Sequence, residues 1–133
     1  MGNNAVVWSI QSNQPLYAQA IASDDWITSH PELVNRFLKS LSQAEDYAIN
    51  HPSEAKAIVK NQLNLTDAYA DKVWSQNQFS LSLDQSLLLA MQDEAQWLIS
   101  NHLTNATTVP NFINYVYSDG LKSVKPGAVN IIG

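Results

Sequence analysis

Apolar positions recur at three- and four-residue intervals over most of this chain, and that spacing predicts helices. Leu33, Val34, Phe37, Leu38, Leu41, Ala44 and Ala48 form one such stripe. It opens after Ser29-His30-Pro31-Glu32, which reads as a capping box with proline in the first turn, and closes near Asn50. His51-Pro52-Ser53-Glu54 restarts a second helix with Ala55, Ile58, Val59 and Leu63 inward. Thr66-Asp67 caps a third helix, to about Asn77, carrying Tyr69, Val73 and Trp74. Asp84 caps the longest one, to about His102, with Leu87, Leu88, Met91, Ala95 and Leu98 on one face and Leu89 and Trp97 widening it. Pro110 opens a short helix over 111–117, and Ser118-Asp119-Gly120 reads as its stop.

Other stretches read as extended. Ala5-Val6-Val7-Trp8-Ser9-Ile10 is β-branched and aromatic, the signature of a strand. Residues 16–22 fit a strand or a short helix equally, and Ser23-Asp24-Asp25 closes them. Phe79 to Leu83 alternates with period two, and the tail after Lys125-Pro126-Gly127 is apolar without helix signals. The expected fold is mainly α with a few short strands.

Composition narrows the function. A 14.7 kDa chain should fold to roughly 7,000 Å² of surface, one core and no more. At 45% hydrophobic residues the chain is no disordered tail, and its longest wholly apolar run, Leu87 to Met91, is far short of a membrane span. Net charge is −5, with no Lys or Arg before Arg36 or between Lys72 and Lys122. Nucleic acid and anionic membrane surfaces both need clustered bases, so neither is an expected partner. With no cysteine, disulfides, thiolate metal sites and Cys nucleophiles are excluded. Only 14% of residues are charged; 13 Asn, 10 Gln, 14 Ser and 5 Thr take their place, a composition that points to an extracytoplasmic protein. The opening Met1-Gly2-Asn3-Asn4 has neither the basic nor the apolar part of a signal peptide.

Reactive constellations are scarce. His30 and His51 precede proline at helix starts and His102 ends a helix, with no second ligand at metal spacing beside any of them. Gly-x-Ser-x-Gly does not occur, and the four glycines exclude a phosphate-binding loop. No metal, cofactor or catalytic group is therefore expected. The sequons at Asn64 and Asn105 are matches that a chain this rich in Asn supplies by chance. What remains is Gln11-Ser12-Asn13-Gln14, small polar side chains between two apolar extended runs. They read as a surface turn, or as a hinge whose uncharged donors face an anion.

The order of segments adds a family likeness. Ser23-Asp24-Asp25-Trp26-Ile27-Thr28-Ser29 followed by His30-Pro31-Glu32-Leu33-Val34, then Arg36-Phe37-Leu38-Lys39 and Leu41, resembles the C-terminal part of ABC-transporter substrate-binding proteins of the nitrate/sulfonate/taurine type. Ala44, Tyr47, His51-Pro52 and Glu54-Ala55 continue the likeness. Asp93-Glu94-Ala95-Gln96-Trp97 is similar to a later helix of the family, with Gln96 where Arg is common. Val109-Pro110-Asn111-Phe112 through Lys125-Pro126 is similar to its closing segment.

The resemblance implies the C-terminal segment of a type II periplasmic-binding-protein α/β fold. Residues 1–14 would then end the second domain and cross the hinge, and 15–133 would complete a discontinuous, mostly helical first domain. It implies capture of a small anionic solute such as a sulfonate or nitrate, delivery to an ABC permease, and a parent that is periplasmic or a cell-surface lipoprotein. Ser12 and Asn13 would flank the ligand, with Gln14 and Trp8 as further contacts. A family member is more than twice this length, so half the cleft would be missing, and helix flanks left bare would favour a homo-oligomer. A stand-alone helical module that binds a protein partner is the competing reading. An enzyme related to pyrimidine-precursor synthases ranks last, because no nucleophile and base accompany each other here.

Overall fold

The computed structural model describes residues 16–132 as a mostly helical body. Residues 16–23 have no regular structure; the expected strand at 5–10 lies outside the described residues. Six helices follow: α1 (Asp24–Ser29), α2 (Pro31–Asn50), α3 (Pro52–Gln62), α4 (Asp67–Gln76), α5 (Gln85–Ser100) and α6 (Ser118–Val124). Two-residue strands β1 (Leu83–Asp84) and β2 (Val129–Asn130) pair in parallel, Leu83 opposite Val129 and Asp84 opposite Asn130.

Several boundaries differ from expectation for local reasons. Ser23, Asp24 and Asp25 open α1 instead of closing a segment. The Ser23 side chain caps the Trp26 amide and both acids sit in the positive first turn. Ser29 caps nothing ahead of it, since its hydroxyl donates back to the Asp25 carbonyl at 2.7 Å. His30 is at once the last cap of α1 and the first of α2, and His51 does the same between α2 and α3. Their backbones are nearly identical, φ −132°, ψ 48° and φ −131°, ψ 56°. Each ring stacks on the aromatic four residues earlier, His30 on Trp26 at 5.0 Å and His51 on Tyr47 at 4.9 Å.

Helices α3 and α5 end in Schellman turns without glycine. Asn64 and His102 take the left-handed conformation, φ 53° and 56°. Leu65 N–H reaches back to the Lys60 carbonyl, and Leu103 N–H to that of Leu98, both at 2.9 Å. Gly120, expected as a stop, lies inside α6 and is buried. A Cβ there would come within 2.7 Å of the Tyr117 ring and 3.0 Å of Leu38, so the glycine serves close packing of α6 on α2. The expected helix at 111–117 tightens to a 3₁₀ turn, Phe112–Tyr115, and Pro126–Ala128 forms another before β2.

The closest packing joins α2 to α6. Asn35 Nδ2 donates to Ser123 Oγ at 3.2 Å, and buried Glu45 accepts from Lys125 Nζ at 2.5 Å. By contrast α3 and α4 meet at their alanines, Ala55 and Ala70, with Lys56 bridged to Asp71 and Lys60 to Asp67 along the outer edge.

The interior is small. Among the described residues the buried apolar set is Ala55, Ala70, Leu87, Leu88, Leu121 and Ala128. Three of these are alanines, which bring little apolar surface out of water. Chain surface totals 10746 Å². Subtracting residues 1–15 at an unfolded-chain maximum of roughly 160 Å² each still leaves about 30% more than a compact body of the remaining size. The sequence stripes are therefore only half used. On α2, Val34, Leu38, Leu41 and Ala48 turn inward while Leu33 and Phe37 stay 43% and 49% exposed. On α3 only Ala55 is buried, and Ile58, Val59 and Leu63 face water.

Candidate functional site

Trp8, Ser12, Asn13 and Gln14 all lie outside the described residues. What the fold describes is the anchor immediately after them. Half-buried Tyr17 donates from its hydroxyl to Ser86 Oγ at 2.9 Å, tying the incoming chain to the first turn of α5.

Around the anchor, polar groups gather where the parallel strands end and α5 begins. Asp84 stands at the N-cap position, but its carboxylate does not cap the helix. It accepts instead from Ser82 Oγ at 2.5 Å and from Asn130 Nδ2 at 3.1 Å, across the two strands. Those hydrogen bonds hold its carboxyl below the ordinary aspartate range, Ser82 contributing most, because they favour the charged form. Next to it, Ile132 N–H donates to Gln85 Oε1 at 3.2 Å. The cluster thus fastens β2 and the tail to α5. An ionised carboxylate at the helix start opposes any anion at that spot, so this cluster is a strand clasp.

A concavity lies along the second half of α5. It is a broad open groove of about 500 Å³ between Gln92, Asp93 and Gln96 on the helix and Val109-Pro110-Asn111 on the following loop. Amides line it with one carboxylate and no cation. It suits a neutral polar group better than an anion.

The histidines hold no common site. His30 donates through Nδ1 to the Trp26 carbonyl at 3.0 Å, a local cap. Among the described residues no three His, Asp or Glu side chains group as metal ligands. No helix among them is long and apolar enough to cross a membrane.

The stretch that runs through the candidate contacts and into α3 carries the family signal. Residues 8–55 match the family model described as NMT1/THI5 like. That model belongs to the nitrate/sulfonate/taurine ABC substrate-binding family, and it covers only this short region of the chain. The match covers Trp8 to Gln14, the Tyr17 anchor, both His-Pro joints and the whole of α2. Proteins of this family are mostly substrate-binding proteins, which are not enzymes, and are typically periplasmic or surface-bound. No curated protein and no solved structure matches the chain.

Sequence reasoning missed Tyr17, Ser86 and the Asp84 clasp. Tyr17 lies in an ambiguous segment, and its partner is 69 residues away, which no periodicity reveals. Asp84 carried a visible cap signal, but the strand partner Asn130 that takes it over is 46 residues distant.

Proposed function

We propose that this chain is the C-terminal portion of an ABC-type solute-binding protein that takes a small anion, such as a sulfonate or nitrate, and passes it to a permease. The family match over residues 8–55 carries the reading. In it, residues 1–14 come from the second domain through the hinge, and 15–133 complete the first. Ser12 and Asn13 supply hydroxyl and amide donors to the anion, with Gln14 and Trp8 beside them. Uncharged donors suit this task, since each bond to an anion is charge-assisted without fixing a permanent charge in the cleft.

The fold supports an incomplete domain on separate grounds. Parallel strands occur almost only in larger sheets covered on both faces, yet β1 and β2 pair over two residues each. Leu89 and Trp97 on α5 stand 53% and 57% exposed. One wall of a cleft does not close on a solute, so the chain alone is expected to bind none of these anions.

Calorimetric titration of nitrate, taurine and an alkanesulfonate tests this, with and without an amino-terminal half of a family member supplied in trans. Heat of binding only with both halves supports the reading, and Ser12→Ala with Asn13→Ala should then weaken it at least tenfold. Binding by the 133-residue chain alone would overturn the incomplete cleft. Silence of the reconstituted pair toward every anion would overturn the function.

A further inference from the structure

The groove along the second half of α5 has a chemistry of its own. Four of its six lining residues, Gln92, Asp93, Gln96 and Asn111, end in an amide or a carboxylate, and Val109-Pro110 forms an apolar wall. Its volume of about 500 Å³ falls in the range of small-molecule sites. Most of this hydrogen-bonding capacity is unused. Gln96 Nε2 donates to Ser100 Oγ at 3.1 Å. Among the described residues, the side chains of Gln92, Asp93 and Asn111 make no hydrogen bond or ion pair with the protein. Trp97 follows Asp93 by one helical turn and about 40° of rotation, which sets it beside the groove on the Asp93 flank. It is 57% exposed.

We infer that this groove is a binding site for a neutral saccharide. A carboxylate with no cation beside it turns anions away. An ammonium ligand would use only the carbonyl and carboxylate oxygens and leave three amide NH₂ groups idle. Each amide offers both donor and acceptor, and so does each sugar hydroxyl, so neighbouring hydroxyls can satisfy all four polar side chains. Adjacent hydroxyls donate to the two oxygens of Asp93 in charge-assisted bonds. Gln92 and Gln96 stand one turn apart on the helix and reach successive hydroxyls. The C–H groups of the sugar ring find apolar cover on the indole of Trp97 and on the Val109-Pro110 wall. This site is separate from the anion reading, which concerns residues 8–14, so either can fail without the other.

Heteronuclear NMR titration of the 133-residue chain tests this. The probes are methyl glycosides of glucose, galactose, mannose and N-acetylglucosamine, with maltotriose and chitotriose as chain forms. At least one probe should give saturable shifts confined to residues 92–97 and 109–111, the Trp97 indole N–H included. The dissociation constant should be on the order of 1–10 mM, the range for about a dozen heavy atoms in an open groove. A trisaccharide that binds more tightly than its methyl glycoside identifies a glycan chain as the ligand, and equal binding a free sugar. Trp97→Ala and Gln92→Ala should each raise the constant about fivefold or more. Both positions are exposed, so the helical circular dichroism should stay unchanged. High salt should change nothing, because the ligand carries no charge. No saturable shift with any saccharide, or shifts that both variants leave intact, would overturn the proposal. So would putrescine that binds these residues more tightly than every saccharide and is displaced by salt, the mark of a cation site.

Discussion

Two helix pairs in this protein are built on different principles. The α2–α6 seam has buried Leu121 and Gly120, a buried carboxylate answered by Lys125, and a side-chain hydrogen bond from Asn35 to Ser123. The α3–α4 hairpin meets at Ala55 and Ala70 and is edged by two exposed lysine–aspartate pairs. Alanines release little apolar surface from water, and exposed ion pairs contribute about 0–1 kcal/mol each. The seam is therefore where this body is held, and the hairpin is a helix pair whose apolar residues await other cover. Apolar periodicity looks the same in both. What separates them is which stripe finds a surface to lie on.

The contrast breaks most sharply at Leu121, only 3% exposed. Leu121→Ala should destabilise by about 2–4 kcal/mol, read from urea melts, because it opens a cavity the seam cannot refill. Removing Lys125 comes next. Lys125→Ala leaves the Glu45 carboxylate buried and unanswered and should cost about 1–3 kcal/mol, discounted because the lysine end of the pair touches water. Glu45→Ala should cost less, because the freed ammonium can turn to solvent.

The strand clasp gives a smaller, pH-dependent effect. The native Asp84 carboxyl is depressed, so its contribution is complete above the unfolded aspartate value and fades as pH falls through the native one. Asn130→Ala removes one donor and should therefore cost stability at neutral pH, a cost that shrinks as pH falls through the native Asp84 value, read from urea melts at a series of pH values. Smallest of all, Ile58→Ala and Lys60→Ala in the hairpin should each stay within about 0.5 kcal/mol in the same melts. A loss at Ile58 comparable to that at Leu121 would erase the distinction between the two regions.

How far the sequence reveals this molecule depends on distance along the chain. Helices α2 to α5 are legible because their stripes are local; of the caps read for them, Thr66 alone bonds as its position suggests, to the Tyr69 amide at 3.4 Å. Gly120 misleads, since a glycine that admits Leu38 and Tyr117 looks the same as one that ends a helix. The His-Pro punctuation is legible, yet the matching aromatics Trp26 and Tyr47, four residues before each histidine, escape notice until their rings are seen stacked. For the site, Ser12 to Gln14 stand out by composition and family pattern, and lie outside the described residues. Their anchor at Ser86 depends on a contact made only after folding.

Those paired histidine joints also fix a phase. They are 21 residues apart with nearly the same backbone angles, so the second elbow departs roughly 60° around the α2 axis from the first at 100° per residue. Deleting or inserting one residue within α2 would swing α3 through roughly 100° relative to α1, while each joint remained intact. Helix length here acts as an angular setting, and a gap in α2 would be felt at its far end before it was felt locally.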